Sequence, residues 1–349
     1  MSSENNCVSV NEEIQQVEAG RPHLVILGAG ASRAAFPNGE SSGKKIPLME
    51  DFVELVPIKS LLEKKGINYQ GLNFEEIYSN LSMDSSMKPI CNELQAIIYD
   101  YFSTLSLPEK PTIYDYLILS LRDKDVIATF NWDPFLIQAC WRNLDTVKSL
   151  PKILFLHGNV LSGYCKRDKV HGTKNGRCET CGQQYTPSQL LYPVKKKNYY
   201  SDPEIASQWE FLKNVLKHAL VVTIFGYGAP ASDAAAIDIL SQAWGNPKDR
   251  EFEQIEIIDI KDDEILRNNW KRFIHTHHYE THTDFYESWI ANHPRRTIEA
   301  FINEKYGAKF IESNPIPKDL PFTDLWSWFS PLLEAEERAK TKKKSATRR

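Results

Sequence analysis

Five short apolar segments, each followed directly by glycine or by polar residues, constrain the fold of this chain more than any other feature. Runs of this length, bounded in this way, are typical of buried β-strands. They lie at His23–Leu27, 126–130, Lys152–Leu156, Ala219–Phe225 and 256–259. Stretches with helical periodicity lie between most of them, and this alternation indicates a parallel sheet covered by helices on both faces. The sequence therefore predicts an α/β fold.

The predicted elements divide the chain into one main domain with two segments inside it, a C-terminal helical segment and two disordered ends. Helical periodicity in several pieces marks an insertion, whereas a stretch rich in Gly, Lys and Cys marks a small module. Ser232 is predicted to cap a helix that extends to Trp244. The predicted parts are a disordered N-terminus (1–20), a main domain (21–300) containing the helical insertion (about 48–122) and the cysteine-containing module (about 163–198), a C-terminal helical segment (301–336) and a disordered basic tail (337–349).

Composition and charge narrow the class of protein. With 349 residues, of which 42% are hydrophobic and 25% charged, the chain can bury a full core. A net charge of −4 argues against a protein that coats nucleic acid, and we expect no direct nucleic-acid binding. No apolar run has the length of a membrane span, and the first residues do not resemble a secretion signal. Six cysteines without such a signal predict reduced thiols in a cytoplasmic protein.

The residues that directly follow the predicted strands are rich in groups that bind ligands or move protons. Ligands of open parallel sheets bind in the crevice at the carboxyl ends of the strands. Glycines in such a turn let the backbone approach a pyrophosphate at a helix N-terminus. In chain order the strand ends carry Gly28-Ala29-Gly30-Ala31-Ser32, Asn131-Trp132-Asp133, His157-Gly158, Gly226-Tyr227-Gly228 and Asp259. The sequence therefore predicts one ligand site to which all five strand ends contribute.

Each of these groups also has a purely structural explanation. The GAGAS turn could be a tight strand-to-helix connection, because Arg33 stands where a complete GxGxxG fingerprint has its third glycine. Asn131 and Asp133 could cap a helix that begins at Pro134. Asp259 could cap the helix that follows it, and a lone histidine after a strand is more often structural than catalytic. We favour the shared site because all five groups would meet in one crevice.

The order of these motifs resembles that of the sirtuin family. The resemblance rests on GAGAS at 28–32, the TFNWD run at 129–133, His157-Gly158, the cysteine module at 165–181, Gly226-Tyr227-Gly228 and Asp259, and it covers roughly residues 23–265. It implies a Rossmann-like domain that binds NAD+ and cleaves the bond between nicotinamide and ribose.

Departures from the sirtuin pattern concern the parts that hold a peptide. Phe130 stands where sirtuin deacylases carry glutamine, and the GIPDFR-like and VxFGE-like runs are replaced by AAFPNGESSGKKIP and LLYPVKKKNYY. The pattern is most similar to that of sirtuin-like effectors of bacterial antiphage systems, which hydrolyse NAD+ with water. The resemblance therefore implies an NAD+ glycohydrolase. A protein deacylase and a non-catalytic sensor of NAD or ADP-ribose remain alternatives.

The resemblance also implies roles for the strand-end residues. Asn131 can donate and accept hydrogen bonds, which suits orienting a water or the ribose hydroxyls. His157 is the expected general base, because histidine titrates near neutral pH. Asp133 is expected to contact the nicotinamide carboxamide. The remaining cofactor-binding residues are Gly28, Ala29, Gly30 and Ser32 for the pyrophosphate, and Gly226, Gly228 and Asp259 for the adenosine half.

Three cysteines in the small module have the spacing of metal ligands. Cys178 and Cys181 form a CxxC pair, and Cys165 lies thirteen residues before Cys178. His171 is the favoured fourth ligand and Asp168 a weaker candidate, and three thiolates with one imidazole make a structural zinc site. Alternatively, the module has lost its metal and is held by packing alone.

A second cluster of histidines lies in the run FIHTHHYETH. It contains His275, His277, His278 and His282, without the acidic pattern of an HExxH metalloprotease. We expect a solvated or partly buried strand here, in preference to a metal site.

Control of the implied activity requires a partner, because unrestrained NAD+ hydrolysis would kill the host cell. No sensor domain is recognisable after residue 300. We therefore expect control by homo-oligomerisation or by a separately encoded regulator, such as a HerA-type ATPase or an Argonaute-like protein.

Overall fold

The computed structural model describes residues 6–194, 197–230, 233–246, 248, 250, 252–274 and 278–347. The strands are β1 Cys7–Val8, β2 His23–Leu27, β3 Val126–Thr129, β4 Lys152–Phe155, β5 Ser162–Cys165, β6 Val170–Thr173, β7 Thr186–Pro187, β8 Val221–Phe225, β9 Gln254–Ile258, β10 Tyr279–His282 and β11 Phe310–Ile311. The α-helices are α1 Val10–Gln15, α2 Ala29–Ala35, α3 Phe52–Leu55, α4 Lys59–Lys64, α5 Phe74–Ser82, α6 Lys88–Ser103, α7 Ile113–Ser120, α8 Phe135–Asn143, α9 Pro203–His218, α10 Ala234–Trp244, α11 Asp263–Trp270, α12 Trp289–Asn292, α13 Thr297–Phe301 and α14 Phe322–Thr347.

Six strands form the central sheet in the order β10-β9-β8-β2-β3-β4, and every neighbouring pair is parallel. The predicted parallel sheet is confirmed, and all five predicted strands are in it. Leu27 lies level with Thr129 on one side and with Phe225 on the other. The carboxyl ends of the middle strands therefore reach the same edge of the sheet.

Helices cover both faces of the sheet, because its strands are apolar on both sides. Leu24 and Ile26 belong to one buried cluster, whereas Val25 and Leu27 belong to the other. This division follows from the alternation of side chains along a strand. The first cluster contains tryptophans of α9, α10 and α11, and the second contains residues of the helices between α3 and α8.

Two corrections concern the ends of the chain. Residues 6–20, predicted to be disordered, include β1, which pairs with β11, and α1, whose buried Glu13 bonds His293 Nδ1 at 2.7 Å. Residues 337–347, predicted as a disordered tail, continue α14. The reason is local: Ala, Glu, Lys and Arg dominate this stretch, and all four are strong helix formers.

Two predictions lie partly or wholly outside the described residues. The predicted cap Ser232 is not described, and α10 begins at Ala234. Of the histidine cluster, His275 and His277 are not described, whereas His282 ends β10, a strand of intermediate burial. The expectation of a partly buried strand is confirmed for this part of the run. Among the described residues, no helix combines the length and apolar character that crossing a bilayer requires.

Candidate functional site

The GAGAS turn joins β2 to α2 and lies against the loop that follows β8. Gly28 N–H donates to the carbonyl of Phe225 at 3.0 Å, and Gly30 N–H donates to that of Gly226 at 2.9 Å. A Cβ at Gly28 would lie 2.5 Å from the Gly226 carbonyl oxygen, and one at Gly30 would lie 2.7 Å from the Gly226 Cα. Both positions therefore require glycine, because the two strand-end loops pack backbone against backbone.

Ser32, Asn131 and Asp133 form one buried hydrogen-bonded cluster at this edge. Ser32 Oγ donates to Asp133 Oδ2 at 2.7 Å. Asn131 Nδ2 donates to Ser32 Oγ at 3.0 Å and to the Gly28 carbonyl at 2.9 Å. Tyr114 of α7 completes the cluster, with its hydroxyl 2.5 Å from Ser32 Oγ. No sequence motif marks Tyr114, which reaches the site from the helical region between β2 and β3.

The Asp133 carboxyl combines a structural contact with an unusual protonation equilibrium. Its Oδ1 accepts the Phe135 N–H at 3.3 Å, at the start of α8. Burial raises the pKa of Asp133 to about 6, against the opposing effect of the hydrogen bonds from Ser32 and from the backbone. The helix-capping explanation thus applies to one oxygen of Asp133. The amide of Asn131 is directed instead to Gly28 and Ser32.

His157 lies two residues beyond the end of β4, in a turn that also requires glycine. Gly158 has a φ of +76°, and a Cβ there would lie 2.1 Å from the Gln189 carbonyl oxygen. Leu191 N–H donates to the His157 carbonyl at 2.9 Å. The returning segment around residues 189–191 therefore packs directly on the His157-Gly158 turn.

The His157 ring is buried among aromatic rings. Its centroid is 4.8 Å from that of Phe130, edge to face, and its Nε2 lies 3.3 Å from the Tyr199 hydroxyl. Burial, reinforced by the charge of Lys197, lowers the pKa of His157 to about 3. The imidazole is therefore neutral at physiological pH.

Phe130 connects the two halves of the site. Its ring stacks on Tyr227 with centroids 4.0 Å apart and contacts His157 on another side. The contact of His157 with the β3 end is therefore made to Phe130, the residue that immediately precedes Asn131. The residue at the glutamine position of the sirtuin pattern thus forms an apolar layer beside the imidazole.

Gly226, Gly228 and Asp259 lie at the same edge of the sheet, on the side of β8 and β9. Gly226 has a φ of +61°, and its N–H donates to the Ile258 carbonyl at 2.9 Å. Asp259 follows β9 directly, and its Oδ1 accepts the Lys261 N–H at 3.1 Å. The Asp259 carboxylate therefore closes its own turn.

The cysteine module contains a compact set of metal-binding groups. The Sγ atoms of Cys165, Cys178 and Cys181 and a carboxylate oxygen of Asp168 all lie within 4.8 Å of one another. Cys165 Sγ is 3.5 Å from Cys181 Sγ, and Cys178 Sγ is 3.2 Å from Asp168 Oδ2. Tetrahedral zinc with Zn–S bonds of about 2.3 Å places its sulfur ligands roughly 3.8 Å apart. These four residues therefore fit a zinc ion.

His171, the favoured fourth ligand, lies outside this cluster, and the register of the hairpin explains why. In the β5–β6 pair, Cys165 lies opposite Val170 and Tyr164 lies opposite His171. Adjacent residues of a strand point to opposite faces. The His171 side chain therefore lies on the face opposite Cys165, with its Nδ1 3.5 Å from Glu204 Oε1. Asp168, in the turn between the two strands, takes the place expected for the histidine.

Comparisons with known proteins give a distant similarity. No family model matches the chain. A crystal structure of a Sir2 homologue–NAD complex has 14% identity and a TM-score of 0.31, covering 75% of this chain and 93% of that one. Sir2 bound to acetylated peptide has 15% identity and a TM-score of 0.33, covering 72% and 91%. A Sir2 enzyme from work on mechanism and regulation has 14% identity and a TM-score of 0.35, covering 95% and 96%. The contacts of the site described above do not depend on these similarities.

Proposed function

We propose that this protein is an NAD+ glycohydrolase, which cleaves the nicotinamide–ribose bond with water to give nicotinamide and ADP-ribose. The observation that carries the proposal is the buried cluster of Ser32, Asn131 and Asp133 at the carboxyl ends of β2 and β3. It lies beside a turn in which Gly28 and Gly30 keep the backbone free of side chains. This is the edge at which parallel sheets bind dinucleotides.

The groups of the cluster match the needs of the reaction. As the bond to nicotinamide breaks, the ribose gains oxocarbenium character and the leaving group becomes neutral. Asp133, with a pKa of about 6, can accept a hydrogen bond from the carboxamide as carboxylate, or donate one as the acid. The hydrogen bonds of Asn131 described above use its Nδ2, which leaves its Oδ1 for the attacking water or a ribose hydroxyl.

The other predicted residues take the remaining roles in the proposal. His157 takes the role of general base in the proposal. Gly28, Ala29, Gly30 and Ser32 hold the pyrophosphate, while Gly226, Gly228 and Asp259 face the adenosine half. We propose water as the acceptor because the chain lacks the peptide-holding runs of the sirtuin pattern and has Phe130 in place of its glutamine. In addition, the described residues of the segment 188–201 include no strand to which a peptide could add.

A nicotinamide-release assay, with and without an acetyl-lysine peptide, tests the proposal. The purified protein should release nicotinamide and ADP-ribose from NAD+ without peptide. Release that requires the peptide would identify a deacylase. Binding of NAD+ without release in either arm would identify a sensor.

We propose further that Cys165, Asp168, Cys178 and Cys181 hold a structural zinc ion. Zinc would fix the chain path of the module, and the proposal gives it no part in the bond cleavage.

We propose an antiphage role in the cytoplasm, under control of homo-oligomerisation or of a separately encoded regulator such as a HerA-type ATPase or an Argonaute-like protein. The support is chemical, because a cell that carries an unrestrained NAD+ hydrolase loses its NAD+. Measurement of mass in solution alongside activity tests the control. A strict monomer with full constitutive activity would contradict it.

A further inference from the structure

A buried polar network lies next to His157, and of its residues Tyr227 belongs to the Gly226-Tyr227-Gly228 motif, whereas Lys197, Tyr199 and Asp233 belong to none of the motifs. Asp233, which directly precedes α10, is at its centre. Its Oδ2 accepts a hydrogen bond from the Tyr227 hydroxyl at 2.9 Å, and its Oδ1 accepts one from the Tyr199 hydroxyl at 3.5 Å. Lys197 Nζ forms an ion pair with the same Oδ1. Tyr199 in turn lies 3.3 Å from His157 Nε2.

The network is closed to solvent, so its hydrogen-bond directions matter. Tyr199 is 2% exposed, Asp233 4% and Tyr227 5%. Buried polar groups are costly when they lack partners. Every proton in this network must therefore have a defined acceptor.

Counting protons leaves two arrangements, because the single proton of Tyr199 can go to Asp233 or to His157 Nε2, and the charged carboxylate is the stronger acceptor. A tyrosine hydroxyl has one proton to donate, whereas a carboxylate can only accept. If Tyr199 donates to Asp233, its oxygen must accept from His157. The nitrogen of His157 that faces Tyr199 then carries the ring proton, and Nδ1 carries the lone pair.

We propose that Tyr199 and Asp233 are positioning residues, which hold neutral His157 in the tautomer protonated at Nε2 and leave Nδ1 as the base. The catalytic meaning of this assignment rests on the proposed function, whereas the tautomer itself does not. In the reaction, the proton of the activated O–H group moves to Nδ1 and the Nε2–H remains in place. The resulting imidazolium keeps its Nε2–H hydrogen bond to the Tyr199 oxygen, while Asp233 offsets part of the repulsion from Lys197.

The ¹⁵N spectrum of the histidine rings measures the tautomer directly, because protonated and unprotonated ring nitrogens resonate far apart. Comparison with His157→Gln assigns the His157 signals. Wild-type protein should show His157 protonated at Nε2. Tyr199→Phe removes the hydroxyl and keeps the ring, so both tautomers should become populated.

Tyr227→Phe is the matched control. It removes a hydroxyl from the same Asp233 carboxylate without touching the imidazole, so the tautomer should stay as in wild type. Asp233→Asn alone would leave Lys197 as an unpaired buried charge and could unfold the protein. The double variant Asp233→Asn/Lys197→Met removes both charges, and it should move His157 toward protonation at Nδ1 because Tyr199 is free to donate to the ring.

Wild-type His157 protonated at Nδ1, or an unchanged tautomer in Tyr199→Phe, would overturn the proposal. Nicotinamide release is measured on the same samples, and Tyr199→Phe should lower kcat roughly 10- to 100-fold, as expected when a residue that orients a functional histidine is removed. An inactive wild-type protein that shows the Nε2–H tautomer would count against the proposed function and still support the assignment of the tautomer.

Discussion

At the scale of single residues, the site combines groups whose chemistry depends on burial. Asn131, Ser32 and Asp133 are buried and bonded to one another, and His157 is buried among aromatic rings. Substitution of Asn131, Asp133 or His157 should therefore change stability or activity in a way that can be measured.

Asn131→Ala and His157→Ala should each abolish most NAD+ cleavage while the protein stays folded. Loss of a positioned base or acid typically costs on the order of 10²–10⁴ in rate. The two losses should not add, because both act on the same transition state. Nicotinamide release and melting temperature, measured on the same variants, check this. If Asn131 were only a helix cap, Asn131→Ala would lose about 0.5–2 kcal/mol of stability and keep its activity per folded molecule.

Asp133 should make stability depend on pH in a direction unusual for a carboxyl group. Its folded pKa of about 6 lies above the ordinary value of 3.8, so the folded state binds a proton more tightly than the unfolded state does. The contribution of Asp133 to the free energy of unfolding should therefore fall as pH rises from about 4 to about 6, by up to about 3 kcal/mol. Buried His157, whose pKa is lowered, contributes in the opposite direction over this range, so the Asp133 contribution is read as the difference between wild type and Asp133→Asn. Denaturant unfolding at pH 4 and pH 7 measures the change. Asp133→Asn should remove this part of the pH dependence, and an identical pH profile in the variant would contradict the assignment.

At the scale of secondary-structure elements, the β5–β6 hairpin shows what the sequence could predict about the metal site and what it could not. The spacing of Cys165, Cys178 and Cys181 located the module correctly. The choice between Asp168 and His171 depended on which residue pairs with Cys165 across the hairpin, and the sequence does not contain that register. The sheet was easier to predict, because parallel strands buried on both faces leave continuous apolar runs such as Leu24–Leu27.

Sequence patterns did not predict the contacts between elements that are distant in the chain. Tyr114 and Tyr199 enter the site from α7 and from the segment before α9, and nothing in their local sequence distinguishes them from other buried tyrosines. By contrast, GAGAS and NWD could be placed at one edge, because parallel strands order their carboxyl ends by topology alone.

The metal proposal predicts about one equivalent of zinc per chain, since four ligands define one site. Cys178→Ser and Asp168→Ala should lower the zinc content and destabilise the module, because metal binding is coupled to local folding. His171→Ala should keep its zinc. Cys140→Ser, a thiol outside the cluster, is the control for cysteine loss as such. Metal-free protein whose melting temperature is unchanged by a chelator would rule out the site.

At the scale of the whole molecule, a buried ion-pair cluster holds α14 against the main domain. Glu336 binds Arg295 at 2.6 Å and Arg296 at 2.8 Å, and all three side chains are at most 7% exposed. Arg295 also donates to the carbonyls of Leu119 and Leu121, at the end of α7. The C-terminal helix thereby becomes part of the main domain's core.

Glu336→Ala should destabilise the protein by about 3–5 kcal/mol, because it leaves two buried arginines without their carboxylate. Glu337→Ala, one residue further along α14, removes an exposed carboxylate that lies 3.6 Å from Lys340 Nζ. This control should change stability by less than about 1 kcal/mol. Denaturant unfolding of the two variants measures the difference, and equal losses would show that the buried cluster contributes nothing specific.

The path of the chain around the cysteine module has an evolutionary consequence. The chain leaves the sheet at His157-Gly158, forms the module, and returns to the same two residues through Gln189 and Leu191. Both ends of this excursion are held by backbone contacts, and lengthening a closed loop adds little entropy cost. Descendants of such a gene can therefore enlarge, shrink or exchange the module by insertion and deletion, while the strand end that carries His157 keeps its geometry.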